Sequence, residues 1–290
     1  MISVVIISKD EESLDGTLAD VTCQAASLGE PTEVIVVDAS GGRLDHIRLC
    51  HQATVRWIPF EQPPGVRISI PHQRNAGVRA ARGDVIVFTD AGCRPEPEWL
   101  ARLTAPLAKG EHVTAGLTLA TPGSSGLYDQ GARHSMTSRY LAECSTINLG
   151  FDREAFETAG AFDETFAYGS DTDFSWRLTR SGYRIRGVPD AVVRHDWGGR
   201  RRQMRRSYQY GRARMLLYRK HGMNLGQVLR AEPMSVVYPA FLVGLPLTLI
   251  FPLYPALLLI PAWRNRANGA VRVLVDHLVF AAGILTELAR

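Results

Sequence analysis

Three short runs, ISVVIIS (2–8), EVIVVDAS (33–40) and DVIVFTDAG (84–92), decide most of what this chain can fold into. Each is a block of apolar, mostly β-branched residues without polar alternation. A strand with no polar face is one covered on both sides. Helix-like stretches separate them: Leu14–Leu28, then 71–82, with Pro71 near its first turn and Gly83 at its end. Residues 95–109 open with proline and acids, as a helix start does, and TVRWI (54–58) supplies a further strand. Strand and helix in this rhythm predict an α/β fold with a mostly parallel sheet.

Ligands of such sheets bind just past the carboxyl ends of the strands. Three strands end there in a polar residue, Ser8, Asp38 and Asp90, which together describe a pocket. The second half is less regular. Residues 145–151, 183–188 and 191–194 read as short strands, and Arg153–Thr158 and Ser170–Ser181 as helices. Residues 199–221 form a basic helix with Tyr208, Tyr210 and Leu216 interleaved.

The tail differs in kind from the body. Residues 1–199 hold 19 Lys/Arg against 26 Asp/Glu, whereas 200–290 hold 14 against 3. An acidic body and a basic tail suggest two environments, the tail suiting an anionic lipid surface. Pro233–Trp263 is a run of 31 residues without a charge, longer than the roughly 20 that span a bilayer as a helix. Prolines 239, 246, 252, 255 and 261 interrupt it, so a broken or hairpin insertion stands beside a straight span. Val271–Leu288, carrying Asp276, His277 and Glu287, either pairs with it or lies along the surface. Arg200–Arg206, Arg264 and Arg266 then belong on the cytoplasmic side. The first residues lack a basic stretch and a long apolar core, so the body is expected in the cytoplasm. Cys23, Cys50, Cys93 and Cys144 are widely spaced and read as reduced core thiols.

The order VVD (36–38), RNAG (74–77), TDAG (89–92), AFDETFAYGSDTDFSWRL (161–178) and His195 resembles the family-2 glycosyltransferases over residues 1 to about 222. The resemblance implies a GT-A fold, a Rossmann-like α/β sheet flanked by helices. That gives a transferase domain at 1–222 and an apolar, membrane-anchoring helical region at 223–290. It further implies base contact for Asp38, donor packing and diphosphate contact for Arg74 and Asn75, and donor contact along the edge that holds Ser8 and Asp90. Asp90 opens what the family writes as Asp-x-Asp, the ligand pair of a divalent metal. Here the third position is Gly92, so Asp90 stands alone, with His195 completing the metal site as in some members. Cys93 is too soft a ligand to favour Mg²⁺. A weakly held Mg²⁺ or Mn²⁺ is the expected cofactor.

In GSDTDF the family pattern is Glu-Asp, with the Asp as general base; Ser170 replaces the Glu, and the base becomes Asp171. Asp173, two positions on, faces another way and is the alternative. Arg177 reads as the partner of a nearby acid. The arginines at 200–206 suit a donor diphosphate or lipid headgroups, with a solvated face as the plain alternative.

The expectation is therefore an inverting glycosyltransferase of hexosyl type at the cytoplasmic membrane face. Its partners are a nucleotide-sugar donor, an acceptor such as a lipid-linked or cell-envelope glycan, and a membrane; no nucleic acid is expected. Two rivals stand beside it. A nucleotide-sugar-binding scaffold with weakened turnover would explain Gly92 and Ser170. A nucleotidyltransferase would need a basic, glycine-rich loop after the first strand, where Ser8–Glu12 is acidic instead.

Overall fold

A computed structural model describes residues 1–122, 124, 129–265 and 269–290 of the 290-residue chain. They fall into two compact units, Met1–Asp196 and Trp197–Arg290. The sequence boundary at 222/223 lies inside the second of these.

The first unit runs β1 (Ile2–Ser8), α1 (Leu14–Ser27), β2 (Thr32–Asp38), α2 (Asp45–His51), β3 (Val55–Pro59), α3 (Ile70–Ala80), β4 (Val85–Asp90), β5 (Arg94–Pro95) and α4 (Trp99–Thr104). It continues with β6 (Val113–Ala120), α5 (Asp129–Ser135), β7 (Tyr140–Leu141), β8 (Leu149–Asp152), α6 (Arg153–Ala159), α7 (Ser170–Arg180) and β9 (Ile185–His195). One mixed sheet has the order β3-β2-β1-β4-β8-β6-β9-β5, with β7 also on β9. Its β3-β2-β1-β4 half is parallel, and β8 joins β4 and β6 antiparallel. All seven residues of β1 are buried, its two serines included, as a strand without polar alternation requires.

Glycine sets one close approach. A Cβ at Gly77 of α3 would collide with Val5 Cγ1 of β1, so the missing side chain lets this helix lie flat on the sheet. The opposite half of the core is aromatic. Phe88, Phe151, Phe156, Phe162 and Phe174 interlock with ring centroids 4.6–6.0 Å apart, closest for Phe162 and Phe174. Such pairs are worth about 0.5–1.5 kcal/mol each beyond their burial. Here they clamp the 160–169 loop and α7 against the sheet.

Several elements differ from the sequence reading. The helix expected over 95–109 shrinks to Trp99–Thr104 between the β5 pair and a 3-10 turn at Leu107–Lys109. Strand β6 had no counterpart in that reading, yet it lies centrally between β8 and β9. The two strands expected at 183–188 and 191–194 are one strand, β9, with a register shift against β6 between Gly116 and Leu117. Buried Asn148 stabilises that irregularity, donating to the Leu117 and Ala191 carbonyls and accepting from Trp99 Nε1 at 2.8 Å. Of the four cysteines, all free, Cys93 is buried and Cys144 half-buried, but Cys23 and Cys50 are exposed, so the core reading fails for those two.

The second unit consists of α8 (Arg200–Lys220), α9 (Leu225–Ala231), α10 (Met234–Val243), 3-10 turns at Leu245–Leu249 and Tyr254–Leu258, α11 (Leu259–Arg264) and α12 (Ala270–Leu288). α8 packs along α12 through Gly211 and Gly283, where a Cβ would strike the Phe280 and Tyr208 carbonyl oxygens. Between the helices Asp276 accepts from Ser207 and Gln203, and Arg212 pairs with Glu287. The uncharged run is helical only in short pieces. Among the described residues no helix is long and apolar enough to cross a membrane, which corrects the straight-span alternative. Arg266, assigned to a cytoplasmic flank, lies outside the described residues.

Candidate active site

The carboxyl edge of the parallel half gathers the predicted residues. Ser8 pairs in register with Asp38, and Asp90 with Ile7. Registered partners share a face of the sheet. Ser8 and Asp38 therefore lie on one face, and Asp90 on the other with Ile7 and Val37, the face on which α3 packs. The edge is shared, but its two carboxylates are presented differently.

Asp38 is buried, and its Oδ1 accepts from the backbone N–H of Ser40 at 3.1 Å and from the Ser40 hydroxyl. That turn orients the carboxylate and leaves Oδ2 outside it. The Ser40 hydroxyl also accepts from Asp10 N at 2.8 Å, and Arg43 pairs with Asp10. Sequence reasoning missed this ring, because nothing local in DASGGR announces contact with the loop after β1.

Helix α3 joins the edge to α7. Gln73, oriented by the carbonyls it faces, donates to Ser8 O and Val37 O at 3.1 Å and accepts from Ser69 Oγ. Arg74, one residue on, is buried, donates from Nη1 to Ser170 Oγ at 3.0 Å and lies over the Phe162 ring. Asn75 is spent within the protein. Its Nδ2 donates to Phe162 O (2.8 Å) and Glu164 Oε1 (2.9 Å), and its Oδ1 accepts from Phe162 N. It holds the loop leading into α7. Gln73 was the unread neighbour in the same HQRNAG stretch.

Two acids open α7 and diverge as the helical spacing requires. Asp173 is fully buried and paired with Arg177 Nε at 2.9 Å, while that guanidinium also donates to the carbonyls of Ala159, Gly160 and Ala161. This pair ties α7 to the end of α6. Asp171 is half-buried, and its Oδ1 accepts from Thr172 N at 2.9 Å. Burial pushes its carboxyl above the ordinary value; the Arg74 guanidinium and the Thr172 N–H pull against that, and Glu143 adds to it. Glu143, in the loop before β8, carried no sequence signal.

At the end of β4 the structure explains Gly92. Its φ is +85°, its N–H donates to Thr17 Oγ1 at 3.0 Å, and a Cβ would come within 2.8 Å of Ser13 Oγ. The position takes glycine for backbone reasons, and the family's second acid would be strained there. Cys93 is buried with its thiol pushed up to about 12, burial being the main cause and Asp90 next, so by itself it stays a thiol. His195, at the end of β9, sets Nδ1 3.5 Å from Cys93 Sγ. Coordination by this ring would fall to Nε2. No group of three or more His, Cys, Asp or Glu able to hold a metal occurs among the described residues.

Four buried polar atoms without a hydrogen-bond partner come from this region: Ser8 Oγ, His72 Nδ1, Arg74 Nε and Asp90 Oδ1. Leaving such an atom unpaired costs about 1–3 kcal/mol. Ser8 and Asp90 end neighbouring strands at this edge, so a polar ligand seated there would have unsatisfied groups to meet. The orphaned Asp90 oxygen also fits a hard cation, which prefers oxygen ligands.

A mannosyltransferase from Pyrobaculum calidifontis, solved in complex with GDP-Man and Mn²⁺, superposes with a TM-score of 0.69 over 99% of this chain and 86% of its own, at 17% identity. The pre-mycofactocin glycosyltransferase of Mycobacterium tuberculosis is 30% identical over 145 residues, in strains CDC 1551 and H37Rv alike. That match covers 42% of this chain and 29% of the relative, so the chain spans under a third of that protein's length. The family described as Glycosyl transferase family 2 matches residues 3–209, more than two thirds of the sequence. The chain belongs to glycosyl transferase family 2.

Proposed function

We propose that this protein transfers a sugar, with inversion, from a nucleotide-sugar donor to an acceptor hydroxyl, working at the cytoplasmic face of a membrane. The observation that carries the reading is the run of orphaned polar atoms on Ser8, Arg74 and Asp90, joined through α3 to the Asp171 carboxylate at the start of α7.

The roles follow from chemistry. Asp38, oriented by its turn, receives the donor's base or ribose. Arg74, on the Asp90 face, offers its unpaired Nε to the diphosphate. Asp171 takes the acceptor proton as the acceptor oxygen bonds to the anomeric carbon. The bond to the diphosphate oxygen breaks, and its electron pair leaves with the nucleoside diphosphate. A carboxyl held above its ordinary value is a stronger base once ionised, which suits this task. Asn75, Asp173 and Arg177 set the frame. Asp90 and His195 would hold a divalent ion, which offsets charge on the leaving diphosphate. The ion complexed by the mannosyltransferase neighbour makes Mn²⁺ the one to try first, and GDP-mannose the first donor. The intact Asp38, Asp90 and Asp171 set favour turnover over a scaffold role.

Asp171→Asn tests the reading. Transfer should fall about 10²–10⁴-fold, the usual worth of general-base catalysis, while calorimetry shows donor binding unchanged. Turnover near that of the unaltered protein would refute the assignment.

A further inference from the structure

Residues 234–264 of the second unit carry an apolar surface that no single protein face would match. Leu249, Ile250, Phe251 and Leu253 are 88%, 71%, 64% and 82% exposed. Near-consecutive positions point in different directions around a turn, so the apolar surface surrounds the segment. A docking partner covers one stripe of a helix; a surface apolar all round calls for an apolar solvent. Leu259, Ile260 and Trp263 extend it, and no charge interrupts it from Pro233 to Trp263.

The backbone suits that solvent as well. Groups in hydrocarbon must be satisfied within the segment. The N–H groups of Leu247, Ile250, Phe251, Tyr254 and Ala256 donate to nearby carbonyls, and prolines 246, 252, 255 and 261 have no N–H to satisfy. The segment folds back on itself: Tyr254 stacks on Phe241 at 5.2 Å and donates from its hydroxyl to the Phe241 carbonyl at 3.1 Å. Between the two arms lies a largely apolar cleft of about 500 Å³, open to the surface and lined by residues such as Tyr238, Phe241, Leu257, Ile260 and Pro261. The longest piece, α10, has 10 residues, about 15 Å of helix, half the roughly 30 Å hydrocarbon core of a bilayer.

Charge sits beside this hairpin. Tyr238 of α10 meets the His277 ring at 4.9 Å, one residue from Asp276, which takes Ser207 and Gln203 of α8. The exposed guanidinium groups of Arg200, Arg201, Arg202 and Arg205 therefore belong to the helix end that meets α12 where the hairpin does.

We propose that residues 234–264 enter one leaflet of an anionic membrane without crossing it, with Arg200, Arg201, Arg202 and Arg205 meeting the headgroups. The inference rests on the membrane reading above and specifies its geometry. The experiment uses the full chain and vesicles of phosphatidylcholine with or without phosphatidylglycerol. It should float with the anionic vesicles, and brominated acyl chains should quench its fluorescence, with that quenching reduced in Trp263→Phe. Leu253→Glu, at an exposed site that leaves folding intact by circular dichroism, should weaken binding on the order of tenfold. Each arginine of the 200–205 set changed to Gln should weaken it about fivefold, on anionic vesicles only. Leu253→Cys should resist a membrane-impermeant maleimide trapped inside the vesicles. Labelling from the lumen would show a crossing and overturn the single-leaflet geometry while sparing the membrane reading. Failure to float, with concentration-dependent self-association by light scattering, would overturn both and assign the apolar surface to a second copy.

Discussion

Replacing Gly92 by Asp would write the family's second acid back into the chain, and the structure predicts that this harms the protein. The residue sits at φ +85°. An L-residue in the left-handed region costs about 1–2 kcal/mol, Asp falling near the lower end because its short polar side chain is tolerated there. A Cβ would also lie 2.8 Å from Ser13 Oγ, which now donates to Glu11 Oε1. Turning Ser13 aside forfeits that bond, about 0.5–1.5 kcal/mol. The new carboxylate would approach that of Glu11, whose Cδ is 3.6 Å from the built Cβ. The sum is about 2 kcal/mol, or roughly 4–8 °C in Tm for a unit of this size. Thermal unfolding of Gly92→Ala and Gly92→Asp, with and without Mn²⁺, is the assay. Both variants should melt lower, with Asp gaining no more from the ion than the unaltered protein does. A Gly92→Ala protein that melts with the unaltered one would refute the backbone argument. Gly92→Asp that melts normally and binds Mn²⁺ tightly would show that the missing acid is not structurally excluded.

Other outcomes follow from the site. Asp173→Asn leaves the Arg177 guanidinium without its acid and should cost about 3–5 kcal/mol of stability in denaturant unfolding, as breaking a buried pair does, a loss separable from the catalytic defect of Asp171→Asn. Because the folded-state value of Asp171 is raised, its contribution to stability is present below the ordinary carboxylate range and is lost as pH rises through the folded value. Asp171→Asn should therefore gain stability relative to the unaltered protein above that pH, and kcat/KM of the unaltered protein should fall on the acid side at a pH above that expected of an exposed Asp. Arg74→Lys, which weakens the pull of the guanidinium, should move that acid limb further up; a limb that stays in place would remove Arg74 from the account. Calorimetry of nucleoside diphosphate with and without Mn²⁺ should show each tightening the other by one common factor, because Asp90 and His195 alone fall short of the about six ligands such an ion takes; equal affinities and full activity in chelator would discard the metal.

The sequence by itself determined the parallel half of the sheet. Runs such as 2–8 and 84–92 can be satisfied only by burial on both faces, and chain order then brings Ser8, Asp38 and Asp90 to one edge, because parallel strands all end on the same side. The family's Glu-Asp pattern pointed to Asp171 as the base, and helical spacing said only that Asp171 and Asp173 diverge; which of them is buried against Arg177 was decided by the fold-back of residues 159–161. What tertiary structure decided involves groups far apart in the chain. β6 is a central strand because β8 and β9 flank it, while its own VTAGLTLA carries an interior glycine that weakens a strand signal and marks the irregularity held by Asn148. Asn75 serves the Phe162 loop 87 residues away, Gln73 caps two strand ends, and Gly92 owes its identity to a φ set by contacts with α1. Periodicity is a local quantity and reports which faces are buried. Hydrogen-bond partners and backbone sign are settled only when distant segments compete for the same space.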